Sequence, residues 1–150
     1  MMPLELIRPS AWNLPLFVHV LGAIVLVGSM FALVLLALAS RRGANTPMFA
    51  RLAFRSTLFV VVPAWIVMRV GANWIEGKEY PSGAGEPGWL GVGFAVADPG
   101  IIVLIVLGIL GWRSARAGGG GWAATAVTVI SGLYLIALGV AMFAMSAKPS

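Results

Sequence analysis

This chain has no cysteine, a single histidine and only five acidic residues among its 150 residues. The absence of cysteine excludes disulfide bonds, thiolate metal sites and cysteine nucleophiles. One histidine cannot build a multi-histidine metal site, and it cannot ligate a haem iron from both sides within one subunit. The glycine run at residues 118–121 has no adjacent Lys, Ser or Thr, so it does not form a phosphate-binding loop. We therefore assign no catalytic residue from the sequence.

Apolar residues, in contrast, are abundant. They make up 60% of the chain and charged residues 10%, against roughly 45–50% and ~25% in soluble domains. Four apolar runs cover residues 14–39, 57–75, 89–112 and 122–145. Each can cross a hydrocarbon core ~30 Å thick, which takes ~20 helical residues, and in lipid the backbone groups of such a run must pair within a helix. We predict an all-α integral membrane protein, an up-down four-helix bundle in one transmembrane domain 1–150, with helices at about 14–39, 47–75, 87–114 and 122–146.

The charges of the connections predict how this bundle is oriented. Four arginines and no acid lie between the first two runs, and Arg113 and Arg116 lie between the last two, again without an acid. Three glutamates lie in the middle connection. The positive-inside rule places the arginine-rich loops in the cytoplasm and both termini outside. We therefore predict a multi-pass protein of the inner (plasma) membrane that contacts the lipid bilayer and not nucleic acid, since its basic residues lie in loops.

The third helix has two alternative starting points. It begins near Pro87 and runs through Pro99, or it begins at Asp98 as the N-cap of Pro99. The second alternative leaves ~16 residues before Arg113, which is short for a bilayer. Residues 89–97 are also too apolar for a solvated loop. We expect the longer helix, with Asp98 buried in the bundle.

Three ionisable residues fall inside the predicted spans, namely His19, Arg69 and Asp98. At ~1.5 Å per residue they lie ~9, ~9 and ~13 Å from the outer ends of their helices, which predicts one shared layer. Such groups are costly in a membrane and usually face a partner or a cavity. We predict an intramembrane ion pair between Arg69 and Asp98, which can be purely structural. The alternatives are that Arg69 snorkels to the surface, that Asp98 only caps a helix and that His19 is a packing residue.

Gly22 lies one turn after His19 on the same helix face. A glycine beside a histidine lets either a flat ligand or another helix approach the backbone closely. Small residues are common where transmembrane helices meet. Both alternatives stay open at this point.

The segment HVLGAIVLVG, from His19 to residue 28, resembles the first-helix signature of small bacterial membrane families around the copper-resistance D group. That group includes a family of unknown function and the membrane-bound protoporphyrinogen oxidases. A histidine opens its motif and glycines follow, often with a tryptophan before the last glycine, a place that Leu26 and Val27 take here. The resemblance implies a helical bundle in which His19 binds haem b as the ligand of the haem iron. Arg69 is our own addition to this candidate site, because a guanidinium at that depth can pair with a haem propionate.

Three functions are compatible with these residues. The first is a small polytopic membrane protein without enzymatic activity, acting as an accessory subunit or structural partner in a membrane complex. The second is a haem-b-binding redox protein that uses His19. The third is a transporter or channel subunit that uses Arg69 and Asp98. The sequence leaves open whether the chain forms a homo-oligomer or joins a larger membrane complex.

Overall fold

The computed structural model describes residues 13–43, 45–79 and 88–147. Every regular element within these ranges is helical, which confirms the all-α prediction. The first helix is Asn13–Ala39, the third is Gly88–Arg116 and the fourth is Gly121–Ala147. The second helix has three parts, which are Thr46–Ser56, the π-helical turn Thr57–Val61 and Val62–Glu79. All four helices are long and apolar enough to cross a membrane, as predicted.

The second and third helices extend furthest beyond their apolar runs. The second continues past residue 75 to Glu79, because a helix can extend into water beyond the apolar stretch that anchors it. The third runs without a break from Gly88 through Pro99, as in the longer of the two alternatives. The predicted start near Pro87 lies outside the described residues.

The core follows one face of the first helix. Leu26, Met30, Leu33 and Ala37 are spaced by three or four residues and are almost completely buried. This helix packs against the second and fourth helices, and the third helix packs against the same two. The outward faces carry many exposed apolar side chains. A surface of that kind marks a protein that is covered by lipid or by other proteins.

The first and second helices approach each other closely at two glycines. A Cβ atom added at Gly71 would lie 2.6–2.9 Å from the backbone N, Cα and Cβ atoms of His19, and one added at Gly22 would meet the backbone of Met68. Real side chains do not reach such distances, so only glycine allows this crossing. The neighbour that approaches the backbone at Gly22 is therefore the second helix, which is one of the two alternatives left open by the sequence.

The π-helical turn of the second helix ends two residues before Pro63. Its wider hydrogen bonding includes the bond from the Val62 N–H to the Thr57 carbonyl. A proline lacks the N–H group and crowds the carbonyl four residues earlier. The irregularity beside Pro63 lies in the preceding turn of the helix, and it takes the form of a single π-helical turn within an α-helix.

The two short connections meet at one end of the bundle. The Gly120 N–H donates to the Ser40 carbonyl over 2.8 Å. Gly119 has a φ of 80°, and a Cβ there would lie 2.7 Å from the Ser40 oxygen, so glycine is needed for this contact. We call this end of the bundle the arginine end, because it carries Arg41, Arg42, Arg51, Arg55, Arg113 and Arg116.

Candidate functional site

His19 is held by the second helix. Its Nδ1 atom lies 3.0 Å from the carbonyl oxygen of Met68. Because a carbonyl oxygen only accepts, Nδ1 must carry the hydrogen, and in the neutral imidazole the lone pair is then on Nε2. The hydrogen bond of His19 within the described part of the chain goes to this backbone atom and not to Arg69 or Asp98.

Arg69 contacts three side chains. Its Nη2 atom lies 2.5 Å from Asp98 Oδ1, and its Nη1 atom donates to Asn73 Oδ1 over 2.5 Å. The Arg69 Cζ atom lies 4.6 Å from the centre of the Phe94 ring, a cation–π distance. The guanidinium therefore links the second helix to the third through one charged contact and one aromatic contact.

Asp98 is less buried than the sequence suggests. Its side chain is 56% exposed, whereas that of Arg69 is 20% exposed. The cause is the packing, because the part of the second helix that bears Arg69 lies close to the first helix and only loosely along the third. The long side chain of Arg69 spans the gap between the second and third helices, and the Asp98 carboxylate lies at the surface of the bundle.

Trp65 makes a second link across the same gap. Its Nε1–H donates to the Ala97 carbonyl over 3.1 Å. Trp65, Arg69 and Asn73 are spaced by four residues, so they share one face of the second helix. We call this group, together with His19 and Asp98, the polar layer. Sequence reasoning missed Trp65 and Asn73, although their spacing around Arg69 was a visible signal.

The polar layer occupies one level of the bundle. His19 contacts Gly71 and Met68, which flank Arg69 in the chain, and Arg69 pairs with Asp98. At ~1.5 Å per residue, His19 and Arg69 lie ~10 Å and Asp98 ~6 Å from the middle of their helices. A hydrocarbon core ~30 Å thick extends ~15 Å on each side of its midplane. A bundle centred in the membrane would hold all three groups within the hydrocarbon.

Tyr134 of the fourth helix lies beside this layer. A Cβ added at Gly100 would meet its hydroxyl group and the Trp65 Nε1 atom. The side chain is 6% exposed, and its hydroxyl has no hydrogen-bond partner among the described residues. The indole N–H beside it is already used by Ala97. Such an orphaned buried hydroxyl is unusual, because buried polar groups are nearly always paired.

The two residues predicted to bind a cofactor, His19 and Arg69, lie in this arrangement. Among the described residues, no group of three or more His, Cys, Asp or Glu side chains is placed to hold a metal ion. His19 remains a single donor, with Nε2 the atom that would face an iron. Arg69, the other predicted cofactor residue, is occupied by Asp98 and Asn73.

Comparisons with known proteins do not add to this description. No protein-family model matches the chain, and searches of curated proteins and of solved structures found no similar protein. The resemblance of the first helix to the copper-resistance D group therefore stays a prediction.

Proposed function

We propose that this protein is a non-enzymatic, multi-pass subunit of a membrane complex, which binds a neighbouring membrane protein through the face that carries Asp98. The proposal rests on the observation that side chains of the polar layer are already engaged in contacts between helices or along one helix. Arg69, Asn73 and Trp65 are all engaged in contacts within or between helices. Side chains engaged in such contacts are not free to act on a substrate, which supports a structural role for the polar layer.

The exposure of Asp98 indicates a partner. A carboxylate that is 56% exposed and lies ~6 Å from the middle of its helix would face hydrocarbon, where charged groups are strongly disfavoured. Arg69 contacts one of its oxygens, Oδ1. A helix of a second membrane protein that brings a hydrogen-bond donor or a cation to Asp98 removes this cost.

The orientation of the subunit follows from its charges. The six arginines of the arginine end have no acidic neighbour in their connections, so this end lies in the cytoplasm. The up-down bundle then has both termini outside and lies in the inner (plasma) membrane. The Asp98 face meets its partner in the outer half of that membrane.

Cross-linking from this face tests the proposal. The chain has no cysteine, so Ile102→Cys, one turn after Asp98, can carry a photoactivatable label without background. Ile136→Cys is the matched control, because Ile102 and Ile136 are 64% and 65% exposed and lie on different helices. In the membranes of its own host, we expect a protein adduct of one defined mass from position 102 and lipid adducts from position 136.

A second variant tests whether cross-linking at position 102 depends on the Asp98 carboxylate. Asp98→Asn keeps the shape of the side chain and removes its charge. Combined with Ile102→Cys, it should reduce the adduct at least fivefold, about the effect of losing 1 kcal/mol of affinity. Equal protein adducts at both positions, or an adduct that Asp98→Asn leaves unchanged, would contradict the proposal. The adduct mass tells a second copy of this chain from a different subunit.

Haem b binding is the second candidate, and one observation favours it. The Nδ1–H of His19 donates to a backbone carbonyl, as it does in most histidines that ligate a metal through Nε2. His19 would hold the iron, and the haem would supply one-electron redox chemistry. Arg69 would bind a propionate only by giving up its contacts with Asp98 and Asn73. The transporter alternative has less support, because Arg69 and Asp98 neutralise each other.

An absorption spectrum tests the haem candidate. Protein purified in detergent after expression with excess haem precursor should show a Soret band that disappears in His19→Ala. His19→Ala also removes the bond to Met68, so His19→Asn, which retains a hydrogen-bond donor there, serves as the fold control. A colourless protein, or a Soret band that persists in His19→Asn, would rule out haem ligation by this residue.

A further inference from the structure

A groove of about 380 Å³ lies at the arginine end, between the last turn of the third helix and the start of the fourth. Its lining includes Trp112, Arg113, Arg116, Gly120, Gly121 and Trp122. Pockets for small ligands have volumes of about 300–1,000 Å³. A Cβ added at Gly120 or Gly121 would meet no atom within 4 Å. The glycine backbone therefore borders open space, and the groove can admit a ligand group.

The electrostatics of the groove favour an anion. Neither Arg113 nor Arg116 forms an ion pair with any described residue, and the sequence holds no acid after Asp98. The two positive charges in one groove are thus not compensated by an acidic side chain within the described ranges. An anionic ligand group would supply that compensation and accept hydrogen bonds from both guanidinium groups.

Each of the two guanidinium groups lies over the ring of a tryptophan. The Cζ atom of Arg113 lies 5.4 Å from the ring centre of Trp122, and that of Arg116 lies 5.0 Å from the ring centre of Trp112. A cation–π contact is an attraction between the positive charge and the face of the aromatic ring, and it needs none of the N–H groups of the guanidinium as hydrogen-bond donors. The N–H groups lie in the plane of the guanidinium and keep their capacity to bind phosphate oxygens. The pairing of each arginine with an indole therefore orients donors without consuming them.

The position of the groove along the bundle identifies the source of the anion. Trp112 and Trp122 are both exposed at the ends of apolar helices, where tryptophan marks the boundary between hydrocarbon and headgroups. Basic pockets between transmembrane helices at this boundary bind the headgroups of anionic lipids. A lipid can place its phosphate in the groove while its acyl chains lie along the exposed apolar side chains of the third and fourth helices.

We propose that this groove is a binding site for the phosphate of an anionic phospholipid from the leaflet that the arginine end faces. Arg113 and Arg116 bind the phosphate, Trp112 and Trp122 hold the two guanidinium groups, and the glycine connection leaves room for the headgroup. The proposal does not depend on the role of Asp98 or on a protein partner.

Thermal unfolding in a neutral detergent tests the site. The probe is dioctanoyl phosphatidylglycerol, with dioctanoyl phosphatidylcholine and inorganic phosphate as separate arms. We expect the anionic lipid to raise the melting temperature in a saturable way, and neither other arm to do so at the same concentration. The double variant Arg113→Gln/Arg116→Gln should bind the lipid roughly tenfold more weakly or worse, since each basic residue near an anionic surface contributes about fivefold.

The matched control is Arg51→Gln/Arg55→Gln. It removes the same charge from the same end of the bundle, from exposed residues that do not line the groove. Wild-type affinity in this control supports a defined site, and an equal loss in both double variants would overturn it in favour of a diffuse charge effect. Stabilisation by inorganic phosphate alone would overturn the lipid assignment, as would the absence of any shift with phosphatidylglycerol.

Discussion

Replacing Arg69 with leucine should lower the free energy of unfolding by roughly 2 kcal/mol. Removing one partner of a fully buried ion pair costs ~3–5 kcal/mol, and the loss is smaller here because Asp98 is half exposed. The variant leaves the Asp98 carboxylate without its cation in an apolar setting. The double variant Arg69→Leu/Asp98→Leu should recover most of this loss, because it removes both charges together. Reversible unfolding in mixed detergent micelles measures all three free energies.

A control variant must separate the loss of the ion pair from the general effect of replacing an arginine with leucine in this helix. Arg51→Leu serves, since this exposed residue of the same helix has no ion pair among the described residues. It should change the free energy of unfolding by less than ~0.5 kcal/mol. Equal losses in the single and the double variant would mean that the Arg69–Asp98 contact does not form in the folded protein.

Gly71→Ala should destabilise the protein by about 1–3 kcal/mol, although alanine is the better helix former by ~1 kcal/mol. The added Cβ would lie 2.6–2.9 Å from the backbone and Cβ of His19. Backbone atoms cannot turn aside as a flexible side chain can, so the two helices must separate. Separation also weakens the bond from His19 to Met68, which the same crossing makes possible.

Gly77→Ala is the matched control on the same helix, because a Cβ there would meet no atom within 4 Å. It should leave stability unchanged or raise it by up to ~1 kcal/mol through helix propensity. Thermal unfolding of both variants in the same detergent gives the comparison. A Gly71→Ala protein as stable as Gly77→Ala would show that the helices do not cross at Gly71.

The candidate site was only partly visible in the sequence. Arg69 and Asp98 stand out because charged residues are rare in long apolar runs, and in the structure they are in contact. Trp65 shares a helix face with Arg69 through its four-residue spacing, which is a signal the sequence does contain. Tyr134 does not differ from the other aromatic residues of these runs. The roles of Trp65 and Tyr134 depend on which side chains the third and fourth helices bring near, and a linear pattern does not contain that information.

The glycines illustrate the same limit. Gly22 and Gly71 lie at a helix crossing, whereas a Cβ added at Gly28 or Gly132 would meet nothing within 4 Å. All four are single glycines in apolar helices. Gly22 alone has a nearby histidine, and that neighbour left open whether a ligand or a helix approaches it. Only the partner helix determines which one is required.

Hydropathy and the length of the apolar runs alone determined that this protein consists of four long apolar helices. Local composition decides whether a run suits an apolar environment, and in such an environment every peptide group must be paired within the segment. Tertiary structure alone decided that His19 bonds to a backbone carbonyl and that Asp98 is half exposed. It also decided that two arginines lie within cation–π distance of two indoles around one groove. These features depend on how the helices are rotated and spaced. Rotation and spacing arise from contacts between residues that are far apart in the chain.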